Sequence, residues 1–182
     1  MGWTIYDLME RMKPGDIYVK GVNALDVNRR VGVLLGSLAE GTIGKMVVAA
    51  EKNGFEILIP VGLEKLIPGN IDDAAKFIEA RKDYSMGQKC RLKALDGIVV
   101  TETDAIESLT GAKAMAFAAG GLDGAEGAAC IAVEGTDEQV QKAIEIAESI
   151  KGQKLPQVNA PRCLECAHPT CFLAGVEKSW NT

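Results

Sequence analysis

Val31-Gly-Val-Leu-Leu-Gly36-Ser-Leu-Ala-Glu-Gly41-Thr-Ile-Gly44-Lys45-Met-Val-Val-Ala-Ala50-Glu-Lys-Asn53-Gly54-Phe55-Glu-Ile-Leu-Ile59-Pro60 reads as strand, glycine-rich loop, helix and strand. Val31–Leu35 is apolar throughout, the pattern of a strand covered on both faces. From Lys45 to Asn53 apolar residues recur at helical spacing, and Gly54 supplies a C-terminal stop. Phe55–Ile59 is a second apolar run, closed by Pro60. A strand–helix–strand succession of this kind is expected to cross over right-handed into a parallel sheet.

Working outward, Thr4 is placed to cap a first helix that Lys13-Pro-Gly-Asp16 ends, and Ile17–Val19 reads as a strand. Downstream, a helix is predicted from Asn70 or Asp72 to about Ala80. Cys90–Ala94 and Ile98–Thr101 are expected to form a hairpin across Asp96-Gly97, since Asp-Gly favours two-residue turns. A short helix over Asp104–Leu109 and two strands, Ala114–Ala118 and Ala129–Val133, follow. Thr136-Asp-Glu-Gln139 is a capping box that opens a helix to about Ile150. Strand, helix, strand, strand, helix is most of a ferredoxin-like pattern.

The expected fold class is α/β: a mostly parallel, doubly wound sheet with a small ferredoxin-like α+β lobe and a C-terminal Cys/His tail. Residues 1–150 would form the α/β domain, with the βαβ part at 16–68 and the lobe at 90–150. Residues 151–182 would be a polar linker and a metal-binding tail.

Composition narrows function. A net charge of −5 with scattered Lys and Arg argues against a nucleic-acid partner. No apolar run is long enough to cross a bilayer, and the N-terminus lacks the basic-then-apolar order of a secretory leader. The expected location is therefore cytoplasmic, where thiols stay reduced and a metal is favoured over a disulfide.

Asp16-Ile-Tyr-Val-Lys20-Gly-Val-Asn23-Ala-Leu-Asp26, then Val31–Gly36, Gly41–Ala50 and Ile57–Ile59, is similar to ribose-5-phosphate isomerase A. The same order resembles the wider group of sugar-phosphate isomerases, glucosamine-phosphate deaminases and coenzyme A transferases. The resemblance covers about residues 14 to 68 and implies a doubly wound sheet beside a ferredoxin-like lobe. The family's Asp-Gly-Ala-Asp-Glu run is replaced here by Lys20-Gly-Val-Asn23-Ala24, and its catalytic glutamate by Gly44, beside Lys45. Proton abstraction next to a carbonyl needs a positioned base. The resemblance therefore implies the fold without the isomerase reaction.

The glycine loop supplies the ligand-binding candidates: Gly36, Ser37, Gly41 and Thr42, with Lys20 or Lys45 adding charge and Asn23 a polar group at a strand end. Free backbone N–H groups at a positive helix end suit a phosphate. A tight turn packed on the sheet is the competing account of the glycines. Asp26 is read slightly in favour of loop capping, and Cys90 and Cys130 as buried, inert thiols.

Three of the five cysteines and the only histidine fall within Cys163-Leu-Glu-Cys166-Ala-His168-Pro-Thr-Cys171. Cys163-x-x-Cys166 is the bite of a zinc knuckle, and His168 with Cys171 completes four ligands. The expected cofactor is one metal centre in this tail, zinc favoured over a [4Fe–4S] cluster on the three cysteines. A flexible, redox-sensitive tail is the plainer alternative.

The sequence reading is thus a metal-binding cytoplasmic protein of isomerase-like fold that holds an anionic or phosphorylated small ligand. An enzyme acting on a phosphosugar or acyl substrate and an iron–sulfur accessory protein are its alternatives. No catalytic residue is assigned, and a homo-oligomer is compatible with the sequence.

Overall fold

The computed structural model describes residues 2–36, 41–80, 84–154, 157, 161–169 and 171–176. Helix α1 (Ile5–Arg11) starts where expected: Thr4 Oγ1 accepts from Asp7 N and the Asp7 carboxylate accepts from Thr4 N. Strand β1 (Ile17–Val19) follows, then β2 (Ala24–Leu25) and β3 (Val31–Leu35). Helix α2 spans Gly41–Asn53, a turn longer at its start than apolar spacing alone predicts. Strand β4 (Glu56–Pro60), helix α3 (Ile71–Ala80), and strands β5 (Arg91–Leu95) and β6 (Ile98–Val100) complete the first part.

Strands β1, β4 and β6 form one sheet in that order, all parallel, with Ile17 opposite Glu56 and Leu58 opposite Ile98. The expected parallel pairing of β1 with β4 is present. Strand β3 is not in this sheet. It lies between β2 and β5 in a second, antiparallel sheet, with Leu35 opposite Arg91 and Val31 opposite Leu95. The expectation that β3, α2 and β4 make a βαβ unit in one parallel sheet is therefore corrected. A wholly apolar run shows that both faces of a strand are covered, but nothing about the direction of its neighbours.

The hairpin expected between β5 and β6 is also corrected: β5 pairs with β3, and β6 with β4. Gly97 serves a close approach instead. A Cβ built there would sit 2.6 Å from the Ile57 carbonyl oxygen and 2.9 Å from Ile59 Cδ1. Backbone cannot yield as a side chain can, so Gly97→Ala is expected to cost about 1–3 kcal/mol as overpacking does. Urea unfolding of the variant checks this; an unchanged midpoint would return Gly97 to the role of a simple turn residue.

Helix α4 (Glu102–Thr110), strands β7 (Lys113–Ala119) and β8 (Ala129–Glu134), and helix α5 (Asp137–Ile150) form the rest of the ordered body. β7 and β8 pair antiparallel, with an irregularity between Ala116 and Ala118. The ferredoxin-like expectation is met only in part. The strand before α4 is β6, which belongs to the parallel sheet, and among the described residues the hairpin has two strands. Its outer face is uncovered, with Met115, Phe117 and Cys130 exposed, so Cys130 is not the buried thiol expected.

One hydrophobic core joins the elements that carry the site. Met9 from α1, Ile43, Met46 and Ala50 from α2, Val31 and Val33 from β3, and Ile57 and Ile59 from β4 pack together. Beside it Asp26 is only 2% exposed and accepts hydrogen bonds from the backbone N–H groups of Asn28, Arg30 and Ile71. It therefore ties the turn after β2 to the first residue of α3.

Candidate functional site

Between α1 and α2 runs an open cleft of about 1120 Å³. Tyr6, Met9 and Glu10 line it from α1; Gly41, Gly44, Lys45, Val48 and Lys52 line it from α2. The cleft forms because α2 turns Ile43, Met46 and Ala50 into the core, leaving Gly41, Lys45, Val48 and Lys52 on the outer face. Lys45 Nζ stands 4.2 Å from the Tyr6 ring centroid, a cation–π contact that holds the ammonium at the wall of the cleft. Among the described residues, the first turn of α2 carries no acidic side chain, and a helix start bears partial positive charge. Gly41 adopts φ 58, a left-handed conformation that a side chain would strain.

Of the sequence candidates, Gly41 and Lys45 line this cleft, and Thr42 is exposed in the first turn of the same helix. Lys20 and Asn23 do not line it. Lys20 Nζ donates to the Gly21 carbonyl, and Asn23 Oδ1 accepts from Leu34 N at 2.9 Å, a bond that fixes the end of β3. The Gly36 carbonyl accepts from Gln88 Nε2 at 3.1 Å. Ser37 lies outside the described residues. Tyr6, Glu10 and Lys52 are cleft residues that the sequence reading missed. Helical spacing from Lys45 to Lys52 could have found the second lysine, but nothing local announces that α1 packs on α2.

The C-terminal edge of the parallel sheet, where α/β folds often hold ligands, is closed by its own hydrogen bonds. Glu102 accepts from Leu63 N, and Asp104 accepts from Thr101 Oγ1 at 2.6 Å and from Arg29 at 2.9 Å. Burial pushes the Asp104 carboxyl up, but Arg29 and Thr101 together hold it below the usual carboxylate range. Lys65 in the following turn pairs with Glu64.

The cysteine tail is not detached from the body. Phe172 N donates to the Gly87 carbonyl, Gln88 and Cys171 form an antiparallel bridge, and the Phe172 ring lies 5.2 Å from that of Tyr84. Leu173 is buried. His168 Nε2 stands 3.2 Å from Gln88 Nε2, the same amide nitrogen that reaches Gly36. The amide nitrogen can only donate, so the ring nitrogen it faces accepts. Cys163, Cys166 and Cys171 are half-buried free thiols. Among the described residues, no three His, Cys, Asp or Glu side chains are arranged to hold a metal ion. The donor set of three thiols and one imidazole suits zinc by its chemistry.

These features define an α/β protein with a cleft that runs along α2, from Gly41 at its start to Lys52 in its last turn, and a docked cysteine tail. No family model, curated protein or solved structure matches the chain. Among the described residues, no helix is long and apolar enough to cross a membrane.

Proposed function

We propose that this protein binds an anionic or phosphorylated small molecule in the α1–α2 cleft, without isomerase chemistry, and carries one zinc ion on its C-terminal tail. The cleft lined by Gly41, Gly44, Lys45 and Lys52 carries the reading of the ligand. Backbone N–H groups at the start of α2 and the Lys45 ammonium favour negative charge at one end of the cleft, Lys52 in the last turn does so at the other, and Tyr6, Met9 and Val48 accept an apolar portion. Glu10 opposes only part of that positive charge. The parallel pairing of β1 with β4 supports a fold of the isomerase-like kind. Gly44, where the resembling enzymes carry their base, brings no proton acceptor to the cleft. The absence of that carboxylate favours ligand binding over turnover. A cytoplasmic setting, with reduced thiols available to a metal, belongs to the same reading.

Calorimetric titration with sugar phosphates, nucleotides and inorganic phosphate tests the ligand half. A charge-assisted contact is worth about 1.5–3 kcal/mol, so Lys45→Glu is expected to weaken the best-binding anion by about tenfold or more. Lys142→Ala on α5 should leave it unchanged. Absence of heat with every anion, or equal affinity in Lys45→Glu, contradicts the assignment.

A further inference from the structure

We propose that Cys163 and Cys166 are a dithiol site that exchanges with low-molecular-weight disulfides, closing a reversible bond across the turn that joins them. The site needs two sulfurs and does not rest on the zinc centre proposed for the tail. Zinc on this pair and a bond across it exclude each other.

The geometry of the turn carries the argument. Cys163–Glu165 is one turn of 3₁₀ helix. Glu165 N donates to the Arg162 carbonyl at 2.9 Å, and Cys166 N donates to the Cys163 carbonyl at 3.2 Å. Cys166 ends the turn with φ −81, near the helical range, so its Cβ leaves the backbone much as a helical residue's does. A 3₁₀ helix has three residues per turn, so side chains three apart eclipse each other. It rises about 2.0 Å per residue, which sets the two α-carbons about 6 Å apart. A disulfide spans roughly 4.4–6.8 Å between α-carbons. Both thiols therefore leave one side of the turn at a separation that a bond between them accepts.

The turn is set before any bond forms. The Cys163 carbonyl also accepts from Gly175 N at 2.7 Å. Gly175 belongs to the docked segment in which Cys171 bridges Gln88 and Leu173 is buried. Closing the bond thus requires side-chain rotation between staggered wells and no change of backbone. Both thiols are free and half-buried, open enough to meet a small disulfide. Among the described residues, no other two cysteines are joined by such a turn. Cys171 N closes its own turn on the His168 carbonyl at 3.2 Å, Cys90 lies before β5, and Cys130 lies on β8.

The exchange balances without a further reactant. One thiolate of the pair attacks a sulfur of the small disulfide, forms a mixed disulfide and expels a small thiolate. The second protein thiolate attacks the protein sulfur of that mixed disulfide and expels the other small thiolate. The two cysteines lose two electrons and two protons, and the small disulfide takes up both as two thiols.

The test titrates the full chain, stripped of metal by a chelator, with oxidised glutathione, counts thiols and maps bonds without reduction. Of the five free thiols two are expected to be lost, and dithiothreitol should restore both. Cleavage after Arg162 and Glu165 puts Cys163 and Cys166 on separate peptides, which then stay together only through the bond. Cys171→Ser should keep the joined peptides. Cys166→Ser should lose them and stop at one glutathione held on Cys163. Five thiols persisting through the titration, or thiols lost with no joined peptides, overturns the proposal. Joined peptides that survive in Cys166→Ser and disappear in Cys171→Ser do the same. Wild type and Cys171→Ser decide the outcome even if Cys166→Ser fails to fold. Metal content measured before the chelator reports separately on the zinc centre, so the two readings fail independently.

Discussion

Replacing Asp26 with alanine is expected to be among the most destabilising single changes in this chain, at roughly 3–5 kcal/mol. The carboxylate is almost fully buried and serves three backbone donors: Asn28 N at 2.9 Å, Arg30 N at 3.0 Å and Ile71 N at 3.0 Å. Alanine would leave those N–H groups without their acceptor and cut one of the side-chain ties between the β2 turn and the start of α3, leaving the Arg30–Asp72 ion pair at 3.0 Å. Burial pushes the Asp26 carboxyl up, but the three N–H donors and the Arg30 charge outweigh it and hold the group below the usual carboxylate range. The folded form therefore releases its proton more readily than the unfolded chain. Its stabilising contribution is complete above the unfolded value near about 3.9 and is lost as pH falls from there through the lower folded value. Urea unfolding across pH checks both points: Asp26→Ala should lower the midpoint at neutral pH and flatten the acid limb. Equal loss at all pH values would contradict the role assigned to the charge.

Met46→Ala is the second large effect, at about 2–5 kcal/mol for a methionine removed from a close-packed interior. Met46 is fully buried and lies on the face of α2 opposite the cleft, in the core with Val31, Ile57 and Ile59. The same substitution loosens the helix whose N-terminus forms the proposed site. Thermal unfolding should show the loss, and anion affinity should fall with it. A destabilised variant with unchanged anion affinity would mean that the cleft does not depend on this packing.

Much of the local structure was legible in the chain. Thr4 with Asp7 and Thr136 with Gln139 form capping boxes whose partners lie three residues apart, so sequence alone exposes them. The Ala114–Ala118 and Ala129–Val133 runs were readable as a pair from their spacing and the glycines between them. What failed was long-range. Val31–Leu35 is apolar whichever way its neighbours run, so its antiparallel pairing with Arg91–Leu95 could not be read. Asp96-Gly97 carries the composition of a hairpin turn, yet the small size of Gly97 serves contact with Ile57 instead.

The site divides in the same way. Gly41 and Lys45 were visible because a glycine-rich entry to a helix has a physical use. Tyr6 and Glu10 were not, because they reach the cleft only through the packing of α1 on α2. The cysteine cluster was conspicuous, but its docking on residues 84–90 left no local mark. Gln88, which touches both Gly36 and His168, had no signal of its own.

The central claim is that anions bind at the start of α2. Its most direct test is a backbone amide NMR titration of the full chain with a sugar phosphate, alongside inorganic phosphate. Saturable shifts are expected at the amides of Gly41, Thr42, Gly44 and Lys45, with those of Met115 and Phe117 on the distant hairpin unmoved. Absence of a saturable shift at the α2 amides with either anion, or shifts confined to another part of the chain, would contradict it.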